Sequence, residues 1–330
     1  MLSLFSRVRS LSSIVCFGSI LASGMPALAK EPPGLGAVAN HDHAPIFVQS
    51  RPVIERLPIK VIQPVDLRVS KSGYVFIADK FAKCVFRLAS DGTVSLPLTD
   101  VDDLQRIFVD ADDNVYVLTS DNHESQIRVV NPNGQSTVLH ELNFAASCFA
   151  RDSIGQFVVA ASDTNRIVRI STEENVTELT RLHQPVADVI VNAGGQTEAL
   201  LASGELIHIS AGGEVTASGF TPPGSSRLLV QSDGSLIALA RRANGVAQLV
   251  SASRAVVRPQ EFVTFATVPE GTQAVGFDSL GNLCLANPDL RAITRVTSHF
   301  RIPCPHCGRP TDMFFDKHSD PIAGDDPRNF

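Results

Sequence analysis

The sequence predicts an all-β fold, a six-bladed β-propeller built from four-stranded antiparallel blades. The first observation is a repeat of about forty residues, marked by six polar turns that end at Gly73, Asp113, Gly155, Gly195, Gly234 and Gly281. The second is a short, uninterrupted apolar run after every turn, which is typical of a strand covered on both faces. The third is that another strand follows each run and further β-rich stretches flank the pair, which gives four short strands per repeat.

The chain begins with the features of an export signal. Arg7 and Arg9 precede an apolar stretch over residues 11–21, and Ala27-Leu28-Ala29 has the small-residue pattern of a cleavage site. We therefore predict a signal peptide over residues 1–29 and an exported mature protein, periplasmic or secreted. Residues 30–52, which contain several prolines, glycines and histidines, are predicted to form a linker.

Residues 53–302 are predicted to form the propeller. The sixth repeat lacks a clear fourth strand, because Pro303 and Pro305 soon follow Val296. The apolar stretch over residues 53–62 precedes the first repeat and belongs to no other predicted blade. We expect this N-terminal strand to complete the last blade and so to close the ring.

The C-terminal tail, residues 303–330, contains the motif Cys304-Pro305-His306-Cys307, for which three interpretations remain open. A disulfide between the two cysteines would pin an exported tail, and an oxidising compartment favours it. With Gly308 the motif also resembles part of a zinc site, which would need further ligands because zinc takes four. The same four residues are similar to thiol–disulfide redox centres, although no thioredoxin-like context surrounds them here.

Charge and composition exclude several functional classes. The chain has 28 Lys+Arg against 34 Asp+Glu and a net charge of −6, so it offers no basic surface for nucleic acid. No segment after the signal peptide has the run of about 18 apolar residues that a transmembrane helix needs, and we expect none in the mature protein. The sequence also contains no G-x-S-x-G turn, P-loop or H-E-x-x-H motif.

Two segments resemble a known family of propellers. Tyr74-Val75-Phe76-Ile77-Ala78-Asp79 and Asn165-Arg166-Ile167 are similar to NHL repeats. More broadly, residues 53–302 resemble the six-bladed superfamily that includes the senescence marker protein and the gluconolactonases. The resemblance implies a divalent cation, held over the central channel by acidic and Asn side chains at the starts of the innermost strands. It also implies lactone hydrolysis as the activity.

Two alternative registers, one residue apart, each place one residue of every repeat at the end of the channel where the innermost strands start. The first contains no carboxylate and comprises Val65, Gln105, Ser147, Ala187, Ser226 and Gln273. The second, one residue later, comprises Asp66, Arg106, Cys148, Asp188, Arg227 and Ala274. Its two arginines would offset the charge that a cation needs, so the sequence departs from the lactonase pattern. Asp66, Arg106, Asp188 and Arg227 are instead candidates for binding a polar or anionic ligand, unless they pair as Asp66–Arg106 and Asp188–Arg227.

The sequence therefore predicts a binding or interaction module without catalytic activity. Its partner would be a protein or a small polar ligand, bound at the channel mouth or on one face of the propeller. The alternative is a gluconolactonase-like, metal-dependent hydrolase with an atypical site. Zinc at Cys304 and Cys307, or a divalent cation in the channel, are the candidate cofactors.

Overall fold

The structure, a computed structural model, describes residues 53–192, 194–231, 234–241, 246–255, 257–258, 261–278 and 281–297. The predicted signal peptide (1–29), the predicted linker (30–52) and the tail (303–330) with Cys304 and Cys307 lie outside the described residues. No helix in the part of the chain that is described is long and apolar enough to cross a membrane.

The described residues form six four-stranded antiparallel sheets, which confirms the predicted fold class. The N-terminal strand is β1 (Val53–Leu57). Blade 1 contains β2 (Pro64–Val69), β3 (Val75–Asp79), β4 (Cys84–Leu88) and β5 (Val94–Leu98). Blade 2 contains β6 (Leu104–Val109), β7 (Val115–Ser120), β8 (Ser125–Val130) and β9 (Ser136–Leu142). Blade 3 contains β10 (Ala146–Arg151), β11 (Phe157–Ala161), β12 (Arg166–Ile170) and β13 (Val176–Arg181).

The second half of the ring has the same organisation. Blade 4 contains β14 (Val186–Val191), β15 (Thr197–Leu201), β16 (Glu205–Ile209) and β17 (Val215–Phe220). Blade 5 contains β18 (Arg227–Val230), β19 (Leu236–Arg241), β20 (Ala247–Ser251) and β21 (Thr264–Val268). Blade 6 contains β22 (Ala274–Phe277), β23 (Leu283–Asn287), β24 (Ala292–Thr297) and β1.

The hydrophobic core lies between consecutive blades. Strands β3, β11, β15 and β23 are buried at every residue. Phe76 and Ala78 of blade 1, for example, pack in one cluster with Ile107 and Val117 of blade 2. Because each such strand is covered on both faces, it contains at least three consecutive apolar residues and does not alternate.

The ring closes through the N-terminal strand. β1 pairs with β24 in antiparallel register from Val53↔Thr297 to Leu57↔Ile293. Immediately after β1, Ile59 and Val61 enter the cluster between blades 6 and 1, where they are 3% and 0% exposed. Blade 6 is therefore assembled from both ends of the propeller segment.

The longest spacing between turns, from Gly234 to Gly281, has a structural cause in blade 5. The extra residues lie in the connection between β20 and β21, which reaches across to blade 4. There Ser253 forms an antiparallel bridge with Phe220, and the Arg254 guanidinium lies 2.9 Å from the Glu198 carboxylate. The insertion thus joins two neighbouring blades.

Candidate functional site

The first strand of each blade lines the central channel. Consecutive first strands contact one another, as β2 does with β6 and β22, and β10 does with β6 and β14. Near the start of four of them a β-bulge interrupts the pairing with the second strand, and the residues at the bulges are Val65, Gln105, Ser147 and Ala187. We call this end of the ring, where the first strands begin, the channel mouth.

Asp66 and Asp188 join consecutive blades at the channel mouth. Both side chains are buried, at 1% exposure. The Asp66 carboxylate accepts the backbone N–H groups of Leu67 at 2.9 Å and of Ile107, in blade 2, at 3.0 Å. These N–H groups lie on the inner edge of the first strands, where no further strand can pair with them, so a carboxylate satisfies them instead.

Asp188 repeats this arrangement three blades further on. Its carboxylate accepts the N–H of Val189 at 3.1 Å and that of Leu228, in blade 5, at 2.8 Å. Asp66 and Asp188 therefore stand in equivalent positions on opposite sides of a six-membered ring, each linking its own blade to the next.

Arg106 and Arg227 reach across the channel. Arg106, in blade 2, donates through Nη2 to the carbonyl oxygen of Ala187, in blade 4, at 3.4 Å. Arg227, in blade 5, donates through Nη2 to the carbonyl oxygen of Val65, in blade 1. Each guanidinium thus contacts the residue that immediately precedes an aspartate, two blades away.

The ion pairs Asp66–Arg106 and Asp188–Arg227 do not form. Among the described residues neither pair lies within 4.0 Å, and Asp66 instead faces Arg68, whose Nη2 lies 3.5 Å from Oδ2. The reason is that backbone groups on the inner strand edges bind these side chains instead. The carboxylates accept the unpaired N–H groups, and the guanidiniums donate to the C=O groups.

Arg68 is the channel residue that the sequence analysis missed. Its Nε donates to the carbonyl oxygen of Ile107 at 3.2 Å. Burial lowers the pKa of Arg68, but the Asp66 and Asp188 carboxylates outweigh it and raise this pKa above its ordinary value. Arg68 lies two residues after Asp66, which is the second-register residue of blade 1. A search of the next inward-facing position of each first strand would therefore have found it.

The site has an approximate internal twofold pattern that Arg68 breaks. Around the ring the second register reads Asp, Arg, Cys in blades 1–3 and Asp, Arg, Ala in blades 4–6. At the position of Arg68, blade 4 carries Ile190, which is buried in an apolar cluster.

The third residue of the pattern, Cys148, is fully buried, and burial raises the pKa of its thiol to about 12. This thiol is therefore protonated at neutral pH and unsuited to act as a nucleophile.

Arg227 is the channel residue with unsatisfied hydrogen-bonding capacity. It is only 7% exposed, yet its Nε and Nη1 have no hydrogen-bond partner among the described residues. The same is true of the Nε of Arg106. Buried guanidinium groups normally bind carboxylates, phosphates, carbonyl oxygens or water. Arg227 and Arg106 thus hold buried N–H donors that lack acceptors in the part of the chain that the structure describes.

The residues at the channel mouth do not fit the divalent cation that the resemblance implies. A calcium or magnesium ion needs several free oxygen ligands. Both available carboxylates accept two backbone N–H groups, and Arg68 and Arg106 act on them electrostatically. A cation would have to displace these donors and to approach guanidinium groups of the same charge.

Asp188→Asn is expected to change how stability depends on pH. Burial, opposed by Arg106 and Arg68, raises the pKa of Asp188 above its ordinary value of 3.8. The folded state then holds this proton more tightly than the unfolded chain does, so the stability that the group contributes falls as the pH rises from 3.8 through the folded-state pKa. The free energy of unfolding of the native protein minus that of Asp188→Asn should decrease over this window in urea titrations. A pH-independent difference would contradict the raised pKa.

Comparisons with known proteins identify the fold. No protein-family model and no curated protein matches the chain. Among solved structures, a gluconolactonase from Xanthomonas campestris superposes with a TM-score of 0.61 at 10% identity, over 74% of this chain and 89% of that one. Virginiamycin B lyase from Staphylococcus aureus gives a TM-score of 0.57 at 13% identity, over 76% and 99%. A luciferin-regenerating enzyme gives 0.55 at 12%, over 75% and 96%. At these identities the likeness shows the fold, and it agrees with the resemblance to gluconolactonase-like propellers.

Proposed function

We propose that this chain is an exported binding module whose channel mouth holds an anionic ligand, and that Arg227 and Arg106 provide the hydrogen-bond donors. The observation that carries the proposal is the buried Arg227 guanidinium, whose Nε and Nη1 find no acceptor within the described ranges of the chain. A buried donor without a partner is costly, and an anion that accepts from it recovers that cost. The planar guanidinium also matches the geometry of a carboxylate or a phosphate.

The charge of the channel supports the same ligand class. Arg68 and Arg106 act on Asp66 and Asp188, and Arg227 binds the carbonyl oxygen next to Asp66, so the inner strands carry three guanidiniums and two carboxylates at the channel mouth. These five side chains together have one net positive charge. In a site removed from bulk water this excess attracts a negative ligand more strongly than it would on the surface.

Arg227→Met is expected to weaken anion binding by at least tenfold. Methionine keeps much of the side-chain volume but removes every donor, and a hydrogen bond to a charged group contributes about 1.5–3 kcal/mol. Calorimetric titration of acetate into residues 30–330 measures the change, and circular dichroism shows whether the variant is folded. Arg106→Met gives a second, independent test.

Arg169→Met is the matched control, because the Arg169 guanidinium also donates to a backbone carbonyl, that of Ala211 at 3.0 Å, but on the outside of the ring. It should leave acetate binding unchanged. Equal affinity for acetate in the native protein and in both channel variants would refute the proposal.

The hydrolase alternative is supported by the fold of the gluconolactonase neighbours. It predicts that gluconolactone is hydrolysed when calcium, magnesium or manganese is added to the protein. Metal-dependent hydrolysis that Asp66→Asn and Asp188→Asn abolish would replace the binding proposal with this one.

A further inference from the structure

Two large apolar side chains are exposed at the channel mouth of blade 1. Ile62, in the segment that leads into β2, is 50% exposed, and Phe81, in the turn between β3 and β4, is 65% exposed. Single exposed apolar residues are common on protein surfaces and need no explanation. The structure ties these two together, however, and places them beside the proposed anion site.

Asp79 connects the two exposed residues. It is completely buried, and its carboxylate accepts the N–H of Ile62 at 2.7 Å, that of Gln63 at 3.2 Å and that of Ala82 at 3.0 Å. One side chain therefore holds the segment of Ile62 against the turn of Phe81. The apolar pair is a fixed feature of the rim.

Arg227 contacts the strand segment that follows Ile62. Arg227 donates to the carbonyl oxygen of Val65, three residues after Ile62. Three residues span at most about 10 Å even when fully extended. A ligand of about this length that binds Arg227 beside Val65 can therefore extend to the segment that carries Ile62.

Two lysines in the turn between β3 and β4 of blade 1 are paired with carboxylates. The Lys80 Nζ lies 3.4 Å from an oxygen of Asp103, and the Lys83 Nζ lies 2.5 Å from an oxygen of Asp102. Lys80 and Lys83 are therefore less available to an anionic head group than Arg227 is.

We propose that the ligand is an amphipathic monoanion, a carboxylate that carries an alkyl or aryl group about 10 Å long. Its head group binds Arg227, and its apolar part covers Ile62 and Phe81. This inference rests on the proposed function and specifies the ligand of that same site.

Calorimetric titration of acetate, butyrate and octanoate into residues 30–330 tests the inference. Burying apolar chain increases affinity, at about 0.8 kcal/mol for each methylene fully removed from water. We expect octanoate to bind at least tenfold more tightly than acetate. Octanol, which has the chain without the charge, should not bind, and Arg227→Met should weaken octanoate binding.

The double variant Ile62→Ser/Phe81→Ser should bring the ratio of octanoate to acetate affinity to about one. Ile154→Ser is the matched control, because Ile154 is 69% exposed and lies in the turn between β10 and β11, at the other end of the first strands. It should keep the native ratio.

The outcomes separate this inference from the proposed function. Acetate binding without tighter octanoate binding, or a ratio that survives in the double variant, overturns the inference and leaves the proposed function intact. Octanoate binding that Arg227→Met does not weaken also overturns the inference, since the contact would then be apolar only. A native protein that binds neither acetate nor octanoate overturns both.

Discussion

A chain that begins at Ile62, and therefore lacks β1, is expected to lose most of its stability. The truncation removes the strand that pairs with β24 over five residues and exposes the edge of blade 6. It also removes Leu57, Ile59 and Val61, which are 5%, 3% and 0% exposed. Burying such side chains contributes about 2 kcal/mol each, or ~6 kcal/mol together. That is a large part of the ~5–15 kcal/mol by which folded proteins are stable.

Urea unfolding of residues 49–330 and 62–330 measures this effect. Both chains lack residues 30–48 of the predicted linker, and the second also lacks residues 49–61, which include β1. The comparison therefore measures the contribution of this segment. We expect the unfolding midpoint to fall steeply or the cooperative transition to disappear in the shorter chain. Adding a synthetic peptide of residues 49–61 should restore the cooperative transition, because the peptide can pair with β24 in place of the missing strand. Coincident midpoints for the two chains would show that the closure is dispensable.

Asp66→Ala is expected to destabilise the fold by about 3 kcal/mol. The substitution leaves the N–H of Ile107 without an acceptor and Arg68 without its carboxylate partner. The cost arises because the Ile107 N–H stays buried without an acceptor and because Arg68, 27% exposed and still bonded to the Ile107 carbonyl, loses its ion pair. Asp66→Asn should cost roughly half as much, since the amide retains one oxygen acceptor but carries no charge.

Asp91→Ala serves as the surface control for this prediction. The Asp91 carboxylate also accepts a backbone N–H, that of Thr93 at 2.8 Å, but it is exposed. Its loss should change the free energy of unfolding by less than about 1 kcal/mol. Equal urea midpoints for Asp66→Ala and Asp91→Ala would contradict the assigned role of Asp66.

The channel shows where prediction from the sequence reached its limit. The spacing of the turns predicts that Asp66, Arg106, Asp188 and Arg227 lie at one end of the ring. Their partners were not predictable, because β-bulges at the starts of the first strands change which atoms face inward. A bulge depends on how two strands pair, and no residue of the bulge has a distinctive type.

The sequence by itself determined the number of blades, the four strands of each and the closure by an N-terminal strand. These features follow from local patterns, since turn residues and apolar runs repeat within about forty residues. Only the tertiary structure decided what the channel side chains do. Asp66 contacts a residue 41 positions away, and Arg227 contacts one 162 positions away. Which unpaired edge groups meet which charged side chains depends on the arrangement of blades that are distant in sequence, so the unsatisfied donors of Arg227 appear only once the ring is closed.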